Sequence, residues 1–154
     1  MLSEGERVPD VKMVGMDGAA VSPADFSGSK LVLYFYPKDD TSGCTREAQD
    51  FTALAGEFEK TGTWILGVSR DSPQSHAKFT GKYALKVKLA SDEDGSACEA
   101  FGTWGEKSLY GRKYMGIERA TFLIDRDGTI FRIWSKVKVP GHAEEVLAAA
   151  RELP

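Results

Sequence analysis

The segment Pro37-Lys38-Asp39-Asp40-Thr41-Ser42-Gly43-Cys44-Thr45-Arg46-Glu47 concentrates the residues of this chain that could do covalent chemistry. It follows an unbroken apolar run, Leu31 to Tyr36, and small polar residues separate its proline from its cysteine. A strand that stops at the proline, turns, and restarts as a helix puts the Cys44 sulfur in the first helical turn. Unpaired backbone N–H groups and the positive end of the helix dipole favour a thiolate there, and such sites bring cysteine pKa values from about 8.5 into the range of roughly 3.5 to 7.5. Free cysteine otherwise packs as a small buried hydrophobe. Gly43, Thr45 and Arg46 flank Cys44 and are not core residues, so the sequence favours a nucleophile over a core role.

The remaining reactive side chains are few. Cys44 and Cys98 are the two cysteines, 54 positions apart, and there is no C-x-x-C pair. Such usage argues against a permanent disulfide and for a reactive or transient thiol in a reducing compartment. The two histidines, His76 and His142, do not lie at ligand spacing from a cysteine, so neither a metal nor a cofactor is expected. His76 precedes Phe79 by three positions and Tyr83 by seven, which puts it on the inward face of a helix as a satisfied imidazole. His142 could pair with Cys44 in a cysteine hydrolase only if folding brought the two together.

The elements that must position Cys44 can be read on either side of it. Val11 to Met16 and Ala19 to Ser22 flank Asp17-Gly18, a hairpin signal because this pair tolerates positive φ. Leu31 to Tyr36 reads as a strand buried on both faces, and Cys44 to Lys60 carries Phe51, Leu54, Ala55 and Phe58 at helical spacing. Trp64 to Ser69 is the next strand, and Ser72-Pro73 opens a helix with serine as N-cap and proline at the first position. Lys88 to Ser91 is a weaker strand, Ser96 to Phe101 a small helix, and Gly102 to Gly116 an irregular, glycine-rich stretch. Ala120 to Ile124 and Thr129 to Trp134 form a hairpin around Asp125-Arg126-Asp127-Gly128, and Gly141 to Leu153 closes the chain as a helix. Parallel βαβ units followed by a hairpin and a helix give an α/β fold of the thioredoxin-like kind. Its central mixed β-sheet is sandwiched by helices, and an N-terminal β-hairpin precedes it.

Composition narrows the class of partner. The 154 residues fit one domain, 1–154, long enough to bury about two thirds of the unfolded surface without staples. Apolar residues make up 42%, charged residues 28%, and the net charge is -3, with no basic block for nucleic acid or an anionic membrane. Neither a signal peptide nor a membrane span is legible, and the expected location is cytoplasmic.

Two stretches carry a family resemblance. YFYPKDDTSGCTREAQDF resembles the P-x-x-x-T-x-x-C active-site segment of peroxiredoxins. SDEDGSACEAFGTWGEKSLYGRKYMGIERATFLIDRDG is similar to the downstream half of the bacterioferritin comigratory protein (BCP), or PrxQ, subfamily. The resemblance implies a peroxidase whose Cys44 thiolate attacks the O–O bond of hydrogen peroxide or a small organic hydroperoxide. It implies that Pro37 shields the sulfur and that the Thr41 hydroxyl holds the peroxide in line with it. Arg119 would favour the thiolate and stabilise charge as the O–O bond lengthens, while the N–H groups of Gly43 and Cys44 complete the anion pocket. Alone, Thr41 reads equally well as a helix cap. Arg119 alone would be a solvated charge, and its joint match with Pro37, Thr41 and Cys44 gives it meaning. Glu47 could bind the helix start or orient Arg119, and Arg46 reads as surface.

The chain departs from the subfamily in one consequential place. Many members have a resolving cysteine five residues after the reactive one, where this chain has Gln49; Ser42 also replaces a frequent proline. Cys98 is the only internal substitute, and its i, i+3 spacing from Phe101 favours a buried structural thiol. The expectation is a one-cysteine cycle in which glutathione, glutaredoxin or thioredoxin reduces the Cys44 sulfenic acid. Two alternatives stay open: a peroxide sensor that relays oxidation to a partner, and a two-cysteine cycle with Cys98 resolving. The subfamily's habit implies a monomer or weak dimer.

Overall fold

A computed structural model describes residues 2–154. Its strands are β1 (Met13–Gly15), β2 (Ala20–Val21), β3 (Lys30–Phe35), β4 (Thr63–Ser69), β5 (Lys88–Ser91), β6 (Trp104–Leu109), β7 (Arg112–Ile117), β8 (Ala120–Ile124) and β9 (Ile130–Trp134). Its helices are α1 (Ser42–Ala53), α2 (Ala55–Lys60), α3 (Pro73–Tyr83), α4 (Ser96–Ala100) and α5 (His142–Glu152). Seven strands form one mixed sheet in the order β2-β1-β5-β4-β3-β8-β9. β3, β4 and β5 run parallel through helical crossovers, while β8 lies antiparallel to β3. This is the expected thioredoxin-like sandwich, N-terminal hairpin included.

β3 is the axis of the fold because it is buried along its whole length. Its side chains alternate: Val32 and Tyr34, with Tyr36 just beyond, point into the core under α1, α3 and α5. Leu31, Leu33 and Phe35 point to the opposite core, which α4 and Phe101 cover. Close packing across one strand leaves no room for a side chain opposite Tyr34. A Cβ on Gly67 of β4 would lie 2.7 Å from the Tyr34 ring. Local chemistry sets the helix ends. Ser72 Oγ accepts the Ser75 N–H at 3.1 Å, with Pro73 at the first helical position. Buried Lys30 donates to the carbonyls of Ala150 and Leu153, both at 2.7 Å, and so caps the end of α5.

Two features differ from the sequence reading. The segment from Cys44 to Lys60 breaks at Leu54 into α1 and α2. Gly102 to Gly116 is not irregular: β6 and β7 pair antiparallel from Trp104↔Ile117 to Leu109↔Arg112. Tyr110 and Gly111 turn the hairpin, both with positive φ (51° and 76°), as a two-residue type I' turn requires.

Candidate active site

The turn after β3 is built so that α1 begins with its donors free. Tyr36 N–H extends the β4 pairing by one residue, bonding Val68 O at 3.0 Å, and Pro37 then leaves the sheet. Thr41 is the N-cap of α1 by backbone geometry, its carbonyl accepting the Thr45 N–H at 2.8 Å. Its side chain does not cap. Thr41 Oγ1 instead donates to Lys38 O at 2.8 Å, which leaves the oxygen lone pairs available to accept. The N–H groups of Ser42, Gly43 and Cys44 precede the first intrahelical bond and have no partner within the helix.

Strand register delivers the cation. Phe35 at the end of β3 pairs with Ala120 at the start of β8, so Arg119 stands just beyond the end of β3, beside the start of α1. Arg119 Nη2 donates to Cys44 Sγ at 3.3 Å, and Nη1 donates to Glu47 Oε1 at 2.7 Å. Gly43 makes this approach possible, since a Cβ there would lie 3.2 Å from Nη2. Glu47 is 1% exposed and its Oε2 has no hydrogen-bond partner. Burial pushes its carboxyl up to about 7, against the pull of Arg119. Burial also works against the Arg119 charge, but Glu47 and Cys44 outweigh it and raise the guanidinium further.

Cys44 itself is 2% exposed and belongs to the core cluster under α1. This corrects the expectation drawn from its polar neighbours, which disfavoured a core role. Gly43 and Thr45 are half-buried on the same turn, while the Cys44 side chain points inward to meet the guanidinium. The arrangement can hold a negative sulfur, because the Arg119 hydrogen bond and the free N–H groups both oppose that charge.

The other candidates separate clearly. Cys98 is fully buried in the core on the far side of the sheet, and burial together with Asp92 pushes its thiol well up. Gln49 and Arg46 are exposed on α1, Arg46 lying 3.9 Å from Asp50. His142 is buried, with Nε2 2.8 Å from Thr121 Oγ1, and burial lowers its pKa to about 4. Pro37 lines a cleft of about 490 Å3 together with Arg70, Trp104, Tyr114 and Met115. Of the aromatic stretch, Trp104 and Tyr114 thus meet the site at Pro37, while Tyr110 is exposed at the hairpin tip and Arg70 stands 4.6 Å above the Trp104 ring.

Sequence reasoning missed one cluster. Asp39, Asp71 and His76 bring their donor atoms within 4.8 Å of one another, the kind of grouping that can hold a metal. Here the facing atoms are engaged in hydrogen bonds with the protein, including Asp39 Oδ2 with Ser75 Oγ at 2.8 Å and Asp71 Oδ2 with Ser69 Oγ at 2.6 Å. Only the buried position of His76 was legible, from its spacing to Phe79.

A thioredoxin-like sheet that presents a buried cysteine at a helix start, against an arginine from the neighbouring strand, defines the peroxiredoxin class of cysteine peroxidases. The chain belongs to the AhpC/TSA family, whose model matches residues 5–133. It is 52% identical to the peroxiredoxin Bcp of Xanthomonas campestris over 125 residues, 81% of this chain and 78% of that protein. It is 43% identical to the peroxiredoxin Bcp of Bacillus subtilis, over 97% of this chain and 95% of that one. Among solved structures it is similar to the Xanthomonas campestris bacterioferritin comigratory protein, with a TM-score of 0.90 and 44% identity over 97% of this chain and 98% of that one. A Xylella fastidiosa PrxQ mutant superposes with a TM-score of 0.92 and 38% identity, covering 99% of this chain and 97% of that one. Membership brings a peroxide substrate and a thiol reductant. No helix among the described residues is long and apolar enough to cross a membrane.

Proposed function

We propose that the chain reduces hydrogen peroxide and small organic hydroperoxides through Cys44 in a one-cysteine cycle. The Cys44 thiolate attacks one peroxide oxygen, the O–O bond breaks, and the leaving oxygen takes a proton to become water or an alcohol. The sulfur is left as a sulfenic acid. A first external thiol condenses with it, releasing water and forming a mixed disulfide; a second displaces Cys44 as thiolate. Thr41 Oγ1, with its own proton committed to Lys38, accepts a hydrogen bond from the peroxide and helps hold it in line. Arg119 and the N–H groups of Gly43 and Cys44 stabilise the charge that moves from sulfur to oxygen. Pro37 walls the site. The related Xanthomonas campestris protein has alkyl peroxide reduction activity, and the cleft beside Pro37 offers room for an alkyl group.

The observation that carries the one-cysteine assignment is that Cys44 and Cys98 lie in separate cores on opposite faces of the sheet. Glutathione, glutaredoxin or thioredoxin then serves as reductant. Two free thiols fit a cytoplasmic setting, and we take residues 1–154 to act as one domain, monomeric or weakly dimeric. Peroxide consumption with each donor, in the native chain and in Cys44→Ser, tests the cycle. Many turnovers lost in the mutant support it. A single stoichiometric burst with every donor would point instead to a sensor that relays oxidation, and a Cys44–Cys98 disulfide after one equivalent of peroxide to a two-cysteine cycle.

A further inference from the structure

We propose that His76 is a positioning residue for the peroxide step, acting through Asp39 on the turn that carries Thr41. The inference rests on the peroxidase reading above. His76 is completely buried on α3, and both ring nitrogens are committed. Nε2 faces the Ala90 carbonyl at 3.0 Å, an atom that only accepts, so Nε2 carries a proton. Nδ1 faces Asp39 Oδ2 at 2.7 Å, and a proton is shared between them. Asp39 also takes the Tyr36 hydroxyl on Oδ1 at 2.6 Å and the Ser75 hydroxyl on Oδ2 at 2.8 Å. Its side chain is therefore fixed at once from α3 and from Tyr36, just beyond the end of β3.

What that fixation controls is a single peptide unit. The N–H of Asp39 and the C=O of Lys38 belong to one plane, which cannot twist without large cost. The N–H end donates to Asp71 Oδ2 at 2.9 Å, and the C=O end accepts the Thr41 hydroxyl at 2.8 Å. The direction of that C=O decides where the Thr41 proton goes and hence where its lone pairs point. A second tie holds the next residue, since Lys82 and Tyr83 of α3 both donate to the exposed Asp40 carboxylate. Asp40 has a φ of 58°, a left-handed conformation that a non-glycine residue keeps only when its surroundings hold it. Through these contacts α3 sets the geometry in which peroxide meets sulfur, although His76 touches neither.

The test uses two substitutions that divide the imidazole. In His76→Asn the side-chain amide nitrogen falls near Nδ1 and still donates to Asp39; in His76→Gln it falls near Nε2 and reaches only Ala90. Two rates are measured on the folded full chain: oxidation of Cys44 by hydrogen peroxide, and alkylation of Cys44 by iodoacetamide, which does not use Thr41. H76Q is expected to lose about ten- to a hundredfold in the peroxide rate, the scale of an ångström-sized misplacement, with alkylation unchanged. H76N should recover most of that loss. Asp39→Ala removes the same contact from the other side and should lose at least as much as H76Q, which keeps the test open if H76Q does not fold. Equal losses in H76N and H76Q, an unchanged peroxide rate in H76Q or D39A, or faster alkylation in H76Q would overturn the proposal. If the native chain itself does not react with peroxide at Cys44, it is the peroxidase reading that fails.

Discussion

Arg119 and Glu47 form a 2.7 Å ion pair that turns one edge of the guanidinium inward and leaves Nη2 to meet the Cys44 sulfur at 3.3 Å. One planar group serves two partners at a fixed angle, which a single ammonium on a flexible stem does not reproduce. Arg119→Lys should therefore fold but lose about a hundredfold or more in the second-order rate of Cys44 oxidation, the usual cost of removing one transition-state donor. Stopped-flow measurement of that rate, with thermal unfolding alongside, checks both halves.

Gly43→Ala should separate stability from activity. The backbone at Gly43 is helical, where alanine is favoured by about 0.5 to 1 kcal/mol. The new Cβ would stand 3.2 Å from Arg119 Nη2, tight enough to push the guanidinium off the sulfur. The expected result is a melting temperature equal to or above that of the native chain, with a peroxide rate lowered about tenfold. A variant with an undiminished rate would mean that the arginine has freedom to give way.

Glu47 and His142 should oppose one another in the pH dependence of stability. Burial raises Glu47 from 4.5 to about 7, so the folded chain holds that proton longer than the unfolded one, and stability from this group is lost as pH rises through 7. Burial lowers His142 from 6.5 to about 4, so its contribution is present above 6.5 and lost as pH falls through 4. Between those limits the two slopes cancel in part. In Glu47→Gln, stability should rise more steeply from pH 4 to 6.5 than in the native chain, and in His142→Gln it should fall from pH 4.5 to 7. Chemical denaturation across that range reads both slopes.

Cys98→Ala should keep full peroxide turnover with an external thiol and cost about 1 kcal/mol of stability, as a typical core truncation does. Intact mass after one equivalent of peroxide should show Cys44 oxidised and no internal disulfide. Loss of turnover in this variant would assign Cys98 a part in the cycle.

The parts of the fold legible in the sequence were those whose cause is local. Asp17-Gly18 between short strands, the apolar run before Pro37, and Ser72-Pro73 ahead of α3 each carry their own turn or cap chemistry. The β6–β7 hairpin was not legible. Gly105, Lys107, Ser108, Arg112 and Lys113 give its strands no alternating apolar face, and its turn uses Tyr110 in a conformation that usually goes to glycine or asparagine. Cys44, Thr41 and Pro37 could be picked out by motif, and Arg119 only alongside them. The Arg119–Glu47 pair and the Asp39–His76 contact join residues 72 and 37 positions apart, and strand register, which the sequence does not print, brings them together. Likewise, the polar neighbours of Cys44 hid the fact that its side chain turns inward.

The sheet between Cys44 and Cys98 has a consequence for time as well as chemistry. A chain able to close its own disulfide resets on a schedule set by its geometry. In the one-cysteine cycle proposed above, with the second thiol on the other face, each oxidation event would be written on one sulfur and kept there until another molecule collects it. On that cycle the lifetime of the mark would follow the local supply of reduced thiol, and the oxidised fraction of the chain would be a running record of peroxide arrival against reductant delivery.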